Sequence, residues 1–194
     1  MVTVGLSGGM GSGKTVVSRI FHALGVPVFY ADAVTKELYD THEELRQTLT
    51  GLLGESIYQN GCLQRKRMAS LIFSDENLLQ KVNALIHPLV LQRFCQWAQQ
   101  QQTPYVVQEA AILFESGANE KMNYTIAVTA PEALRIARIM QRDNLTEQEI
   151  KDRLQWQWPD EKRNAKAGFI IVNDDKQPLL PQVLTIHENI LKNI

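Results

Sequence analysis

Cysteine is nearly absent from this 194-residue chain: Cys62 and Cys95 stand alone and form no C-x-x-C pair. That excludes a disulfide scaffold and a paired-thiolate zinc site. Long apolar runs are missing too. None approaches the roughly 18 residues that suggest a membrane helix, and the start has no basic segment followed by a long apolar stretch. A cytoplasmic protein without membrane contact is expected. Neither sign of charge is in excess, with 20 Lys and Arg against 21 Asp and Glu, net −1. No global field therefore recruits nucleic acid. There is no internal repeat and no long linker. What remains is a chain of ordinary hydrophobic content, 44%, long enough for one core or a core with a small attached lobe.

The most informative segment is Gly5-Leu6-Ser7-Gly8-Gly9-Met10-Gly11-Ser12-Gly13-Lys14-Thr15. From Gly8 to Thr15 it fits G-x-x-x-x-G-K-[ST], the phosphate-cradling P-loop. Val2 to Leu6 before it reads as a strand, and Thr15 to Leu24 after it as a helix closed by Gly25. That order is what the motif requires. Glycines let successive N–H groups point into one concavity without Cβ clashes. The helix start adds N–H groups and the positive end of its dipole. Lys14 can place a charge near the β- and γ-phosphates, and the Thr15 hydroxyl can bind Mg²⁺.

Five segments read as buried strands: Val2 to Leu6, Val26 to Phe29, Tyr105 to Val107, Tyr124 to Val128 and Phe169 to Val172. Helical stretches separate them, which predicts βα units and a five-stranded parallel sheet. Ligands then collect at the carboxyl ends of the strands. The gap from about Ala33 to Thr103 is too long for one crossover helix. It reads as several helices with no strong strand, carrying apolar stripes at Leu45, Leu49, Leu52 and Leu53, at Leu78 to Ile86, and at Leu89 to Ala98. His87-Pro88 interrupts the last two stripes, so that His87 heads a new helix. Gly51-Leu52-Leu53-Gly54 and Gln59-Asn60-Gly61 read as turns. Pro131 opens one helix, and the capping box Thr146-Glu147-Gln148-Glu149 opens another. The expected division is a nucleotide-binding core of residues 1–32 and 104–194, a helical lobe of residues 33–103, and lid helices within 131–158.

Charged groups at strand ends are candidates for chemistry. Asp32 follows the second strand, where a carboxylate can accept a proton from an attacking hydroxyl, hold a water on Mg²⁺, or simply cap a helix. Glu109 follows the third strand, near a metal or paired with a nearby cation. Glu115 reads as a loop acid or cap. Arg135, Arg138 and Arg142 share one helix face, which is either solvated or a lid that neutralises phosphate charge. Asn173 reads an adenine edge or makes a turn.

Taken together, these residues resemble the dephospho-coenzyme A kinase family over nearly the whole chain. The opening is similar to G-L-T-G-G-I-G-S-G-K-S. Asp32 matches the second acid of D-A-D, and Leu85-Ile86-His87-Pro88 matches L-I-H-P. Ile112-Leu113-Phe114-Glu115 resembles the end of P-L-L-F-E. Arg138 with Arg142-Asp143 resembles R-x-x-x-R-D, followed by Arg153 and Gln157 as in R-x-x-x-Q. Lys162, Ala167 and Asn173 echo the closing K…A-D…N segment. There are departures. Tyr30 replaces the first acid of D-A-D, Ala111 a proline, Gly168 an aspartate, and Glu109 stands where an aspartate is common. Arg135 has no clear counterpart and returns to the solvated face.

The resemblance implies a P-loop NTPase three-layer α/β fold with a helical substrate-binding lobe and a helical lid. It also implies transfer of the ATP γ-phosphoryl group to the ribose 3′-hydroxyl of dephospho-coenzyme A, the last step of coenzyme A synthesis. Lys14, Asp32 and Arg138 would be catalytic. Gly8, Gly11, Ser12, Gly13, Lys14, Thr15, Val16, Arg142 and Asn173 would bind ATP, with Mg²⁺ on Thr15. Asp32, His87, Arg93 and Glu109 would contact the acceptor. A monomer or weak homo-oligomer is expected. Two alternatives stay open: another small P-loop kinase, and a nucleotide-dependent switch, although the N-K-x-D element common in guanine-specific GTPases is missing.

Overall fold

The computed structural model describes residues 1–143, 145–155 and 157–194. In chain order the elements are β1 (Val2–Gly8), α1 (Lys14–Ala23), β2 (Val28–Tyr30), α2 (Ala31–Thr41), α3 (Glu43–Leu53), β3 (Tyr58–Gln59), β4 (Cys62–Leu63), α4 (Arg65–Ser74), α5 (Glu76–Gln99), β5 (Tyr105–Glu109), β6 (Tyr124–Thr129), α6 (Glu132–Asp143), α7 (Glu147–Leu154), α8 (Asp160–Lys166), β7 (Phe169–Val172) and α9 (Leu179–Lys192). The described residues form two compact units, Met1–Tyr30 with Ala98–Ile194, and Ala31–Trp97.

The first unit is built on a five-stranded sheet in the order β2-β5-β1-β6-β7, parallel throughout. The five expected strands are all present, and the second is shifted to Val28–Tyr30. β1 is central and pairs Val4 with Val107 on one side and with Tyr124 on the other. A strand covered on both faces reads as a continuous apolar run, and Val4 and Leu6 are fully buried. Val17 and Phe21 of α1 lie one turn apart, as do Val183, Ile186 and Ile190 along α9. All five pack with Val4, Leu6, Val107, Ile126 and Ile171 into one core. Each such side chain contributes about 1.5–3 kcal/mol on burial. α1 stops where Gly25 takes a positive φ of 81° and its N–H bonds the His22 carbonyl at 3.0 Å. Because all strands run the same way, their carboxyl ends share one edge.

The second unit is mostly helical, and two expectations are corrected. The lobe does contain strands: β3 and β4 pair antiparallel around Asn60-Gly61, whose φ angles of 51° and 79° suit a tight hairpin turn. Tyr58, Leu63 and Arg65 tie this hairpin and the following helix to α2 through Tyr39 O, Asp40 and Lys36 O. Gly51 is helical, and only Gly54, at φ 90°, ends α3. The second correction is larger. His87-Pro88 does not break the chain, and α5 runs unbroken with Pro88 inside it. Proline forfeits one backbone hydrogen bond but its φ suits a helix. Buried Val82, Ile86, Val90 and Phe94 make a single stripe at four-residue spacing across it, and packing of that stripe outweighs the lost bond. His87 is therefore mid-helix and does not head one.

Candidate active site

The chain leaves β1 at Gly8 and turns through Gly9–Gly13 into α1. Ser12 N–H donates to the Gly9 carbonyl at 3.1 Å, and Val16 and Val17 N–H donate to that of Gly13 at 2.9 and 3.2 Å. Gly11 and Gly13 have φ of 80° and 100°, values L side chains rarely adopt. Space is equally decisive. A Cβ on Gly8 would sit 2.3 Å from the Val128 carbonyl oxygen, and one on Gly13 would sit 2.1 Å from Asn173 Nδ2. Lys14 Nζ donates to the Gly8 carbonyl at 2.9 Å, which curls the ammonium back over the loop. The buried Ser12 hydroxyl oxygen has no hydrogen-bond partner among the described residues. An orphaned hydroxyl, an ammonium and a helix N-terminus around one glycine loop fit an anionic polyphosphate.

Asn173 and Arg138 join this loop from two other elements. Asn173 N–H donates to the Thr129 carbonyl at 2.8 Å, and its buried Nδ2 donates to the Ser12 carbonyl at 2.8 Å. The side chain thus braces the loop backbone. Arg138, from α6, donates to the carbonyls of Asn173 at 3.1 Å and Gly11 at 3.4 Å, and pairs with Asp175 at 2.5 Å. Arg142 stands apart from this group. It is largely exposed and forks onto Asp143 with two bonds of 2.7 Å, which hold the Asp143 carboxyl below its usual range.

Sequence reasoning missed what lies behind the loop. The sequence pattern puts Arg135 on a solvated face, yet it is only 7% exposed. Its Nε donates to the Met10 carbonyl at 3.0 Å, and its guanidinium pairs with Asp160 at 3.0 Å. Gln157 Oε1 accepts from Met10 N–H at 2.8 Å. Asp160 also accepts from Arg163 at 2.6 Å and from the Thr129 hydroxyl at 2.9 Å. Arg163, 1% exposed, reaches Glu115 at 3.2 Å, so Glu115 anchors a buried pair as well as accepting from Trp158 N–H. A signal was present. Arg135 lies four residues before Ile139, the fully buried residue of α6, and so shares its inward face. A cavity of about 740 Å³ adjoins this network between α6, α7 and α8, and none of Gly8 to Thr15 lines it.

Glu109 closes β5 at the carboxyl edge of the sheet, in register with Leu6 and Tyr30, and is buried. The remaining candidates belong to the helical unit. Asp32 is the second residue of α2, exposed in its first turn, where a carboxylate complements the helix dipole. It follows the strand by two residues and is inside the helix, not its N-cap. His87 is half-buried in α5, and burial lowers its pKa below the ordinary 6.5. Arg93 is exposed on the same helix, but six residues along it and so off the face of His87.

Comparison with known proteins matches this arrangement to one family. A family profile described as dephospho-CoA kinase covers residues 2–178. The dephospho-CoA kinase of Porphyromonas gingivalis is 43% identical over 192 residues, 98% of this chain and 95% of that protein. That of Bacteroides fragilis is 36% identical, covering 95% and 91%. A crystal structure of a Thermus thermophilus protein superposes with a TM-score of 0.85 at 28% identity, over 100% of this chain and 97% of the other. The dephospho-CoA kinase of Campylobacter jejuni shares the fold with a TM-score of 0.71 at 23% identity, over 98% of each chain. The chain belongs to the dephospho-coenzyme A kinase family, kinases that use ATP to phosphorylate dephospho-coenzyme A in the last step of coenzyme A synthesis.

Proposed function

We propose that the glycine loop between β1 and α1 binds the ATP phosphates and that the γ-phosphoryl group passes to the ribose 3′-hydroxyl of dephospho-coenzyme A. The observation that carries this reading is the loop itself, braced by Asn173, with Lys14 and the Arg138 guanidinium on it. The backbone from Gly11 to Val16, with Gly8 behind it, wraps the phosphates. Lys14 steadies the transferring group. Arg138 neutralises charge on the γ-oxygens once it exchanges Asp175 for phosphate, with Arg142 assisting. Asp32, carried over from the resemblance, orients or deprotonates the acceptor hydroxyl. The helical unit, with His87 and Arg93, holds the coenzyme A portion, and Glu109 contributes at the sheet edge. Catalysis then rests on positioning and charge stabilisation.

Thr15, second in α1 and exposed, is the residue that would hold Mg²⁺. That ion binds through few protein oxygens and keeps several waters, so a single hydroxyl fits it. When bound, it neutralises phosphate charge. We propose as well a cytoplasmic enzyme acting as a monomer or weak homo-oligomer without membrane partners, and without nucleic-acid partners in view of the balanced charge. Among the described residues no helix is long and apolar enough to cross a membrane.

The test is ADP release coupled to an indicator reaction. ADP should appear with ATP, Mg²⁺ and dephospho-coenzyme A together, and fall to the blank rate with an analogue lacking the 3′-hydroxyl. Equal ADP release with that analogue would refute transfer to this hydroxyl.

A further inference from the structure

We infer that Arg135 is a positioning residue for the nucleotide: with Gln157 it clamps the two successive peptide groups that flank the Met10 Cα and so sets the shape of the phosphate-binding loop. This rests on the reading of that loop as the ATP site and adds a residue to which the family resemblance gave no role.

Met10 is at the tip of the loop, and its peptide groups face two partners. Its N–H is held by Gln157 Oε1 at 2.8 Å and its carbonyl by Arg135 Nε at 3.0 Å. Both partners lie far along the chain, on α6 and just beyond α7. The guanidinium fills the space beside Gly9, where a Cβ would come within 2.5 Å of it. Gly11 packs as closely on the Arg135 backbone, 2.7 Å from its carbonyl oxygen to a Cβ position. Arg135 therefore touches the loop at three consecutive residues, Gly9, Met10 and Gly11.

The guanidinium is itself fixed. It is buried and paired with Asp160, and Asp160 is held in turn by Arg163 and the Thr129 hydroxyl. A planar fork can bond a carbonyl through Nε and a carboxylate through its other edge at once, whereas an ammonium cannot match both directions. A loop that binds phosphate through main-chain N–H groups depends on the orientation of its peptides. Errors of about 1 Å in positioning reduce catalysis up to about 10²-fold. The clamp holds the peptide that leads into Gly11, the first positive-φ residue of the loop.

The test uses Arg135→Met, similar in length but without donors. Asp160 keeps Arg163 and Thr129 in this variant, so folding should survive. The readouts are affinity for a fluorescent ADP analogue and the separate KM values of ATP and dephospho-coenzyme A. We expect nucleotide affinity and KM for ATP to worsen about tenfold, with KM for the acceptor within twofold of wild type. Arg135→Lys, retaining one donor, should fall between. A purely structural role would lower thermal stability and leave nucleotide affinity and KM for ATP unchanged; that result, in a folded Arg135→Met, overturns the proposal. If Arg135→Met does not fold, Arg135→Lys decides: weaker nucleotide binding supports the clamp, and wild-type binding refutes it. Nucleotide affinity is read without the acceptor. A wild-type protein inactive toward dephospho-coenzyme A would thus sink the acceptor assignment and leave the clamp measurable.

Discussion

At the scale of single side chains, the proposed roles separate binding from chemistry, and each has its own readout. Lys14→Ala removes the one ammonium on the loop and should cut turnover at least 100-fold, while the melting temperature stays within a few degrees, because Lys14 contributes little to the core. Near-normal turnover would mean that the phosphates bind elsewhere. Asp32→Asn, exposed and at no cap position, should lower kcat far more than it raises KM for ATP, with circular dichroism unchanged. His87 offers a different readout. Its pKa is lowered in the folded state by burial, so the unfolded chain binds the extra proton more readily. Its contribution is complete above about pH 6.5, the unfolded value, and is lost as pH falls through the lower folded value. Urea midpoints of wild type and His87→Gln should therefore converge as pH falls from 7.5 to 5. A constant gap would place the imidazole in solvent.

The same scale shows why part of the site was legible. Gly8 to Thr15 announce themselves because the chemistry needs those residue types at consecutive positions. Arg135, Glu115 and the Asp160–Arg163 pair assemble from three separate stretches, and each carries only a charge that surface residues also carry. What marks them is burial, and burial belongs to tertiary structure. Its place after the last strand suggests that Asn173 reads a base, but its amide is turned to the Ser12 carbonyl, a partner 161 positions away.

Elements differ in how locally they are specified. α7 is set by its first turn. Thr146 Oγ1 accepts from Glu149 N–H at 3.3 Å, and the Glu149 carboxylate accepts from Thr146 N–H at 2.8 Å, the reciprocal box its letters foretold. Thr146→Ala should cost about 1 kcal/mol, detected as faster amide exchange across Glu147–Leu154. Exchange as slow as wild type would show that tertiary contacts hold this helix without its cap. α5 is the opposite case. Pro88 signals a break, and the break is overruled by a stripe that continues on both sides of it. Local propensity loses there because four buried side chains act together, each of comparable weight to the missing backbone bond. The sheet strands lay between these extremes. Their existence was readable from short apolar runs, but β2 starts two residues later than Val26, because its pairing with Val107 to Glu109 decides where it begins.

For the whole molecule, the division into two units predicts a division of labour. An ATP analogue alone should slow amide exchange in residues 8–17 and near Asn173. Dephospho-coenzyme A alone should slow it in α2 and α5. A ligand that binds only the native state stabilises by RT ln(1 + [L]/Kd), about 2.7 kcal/mol at 100 Kd, enough to be seen in protected segments. Protection by dephospho-coenzyme A confined to residues 8–17 would remove the helical unit from acceptor binding. Residues 31–97 also stand where neighbouring parallel strands, β2 and β5, require only a crossover. Lengthening a closed loop costs little, since the entropy grows only with the logarithm of its length. The sheet can therefore keep its register whatever that stretch encodes. On the proposed assignment of acceptor binding to that stretch, evolution is free to rewrite the recipient's docking ground inside one connection, leaving the donor machinery untouched, and a protein engineer seeking a new recipient should exchange that connection first.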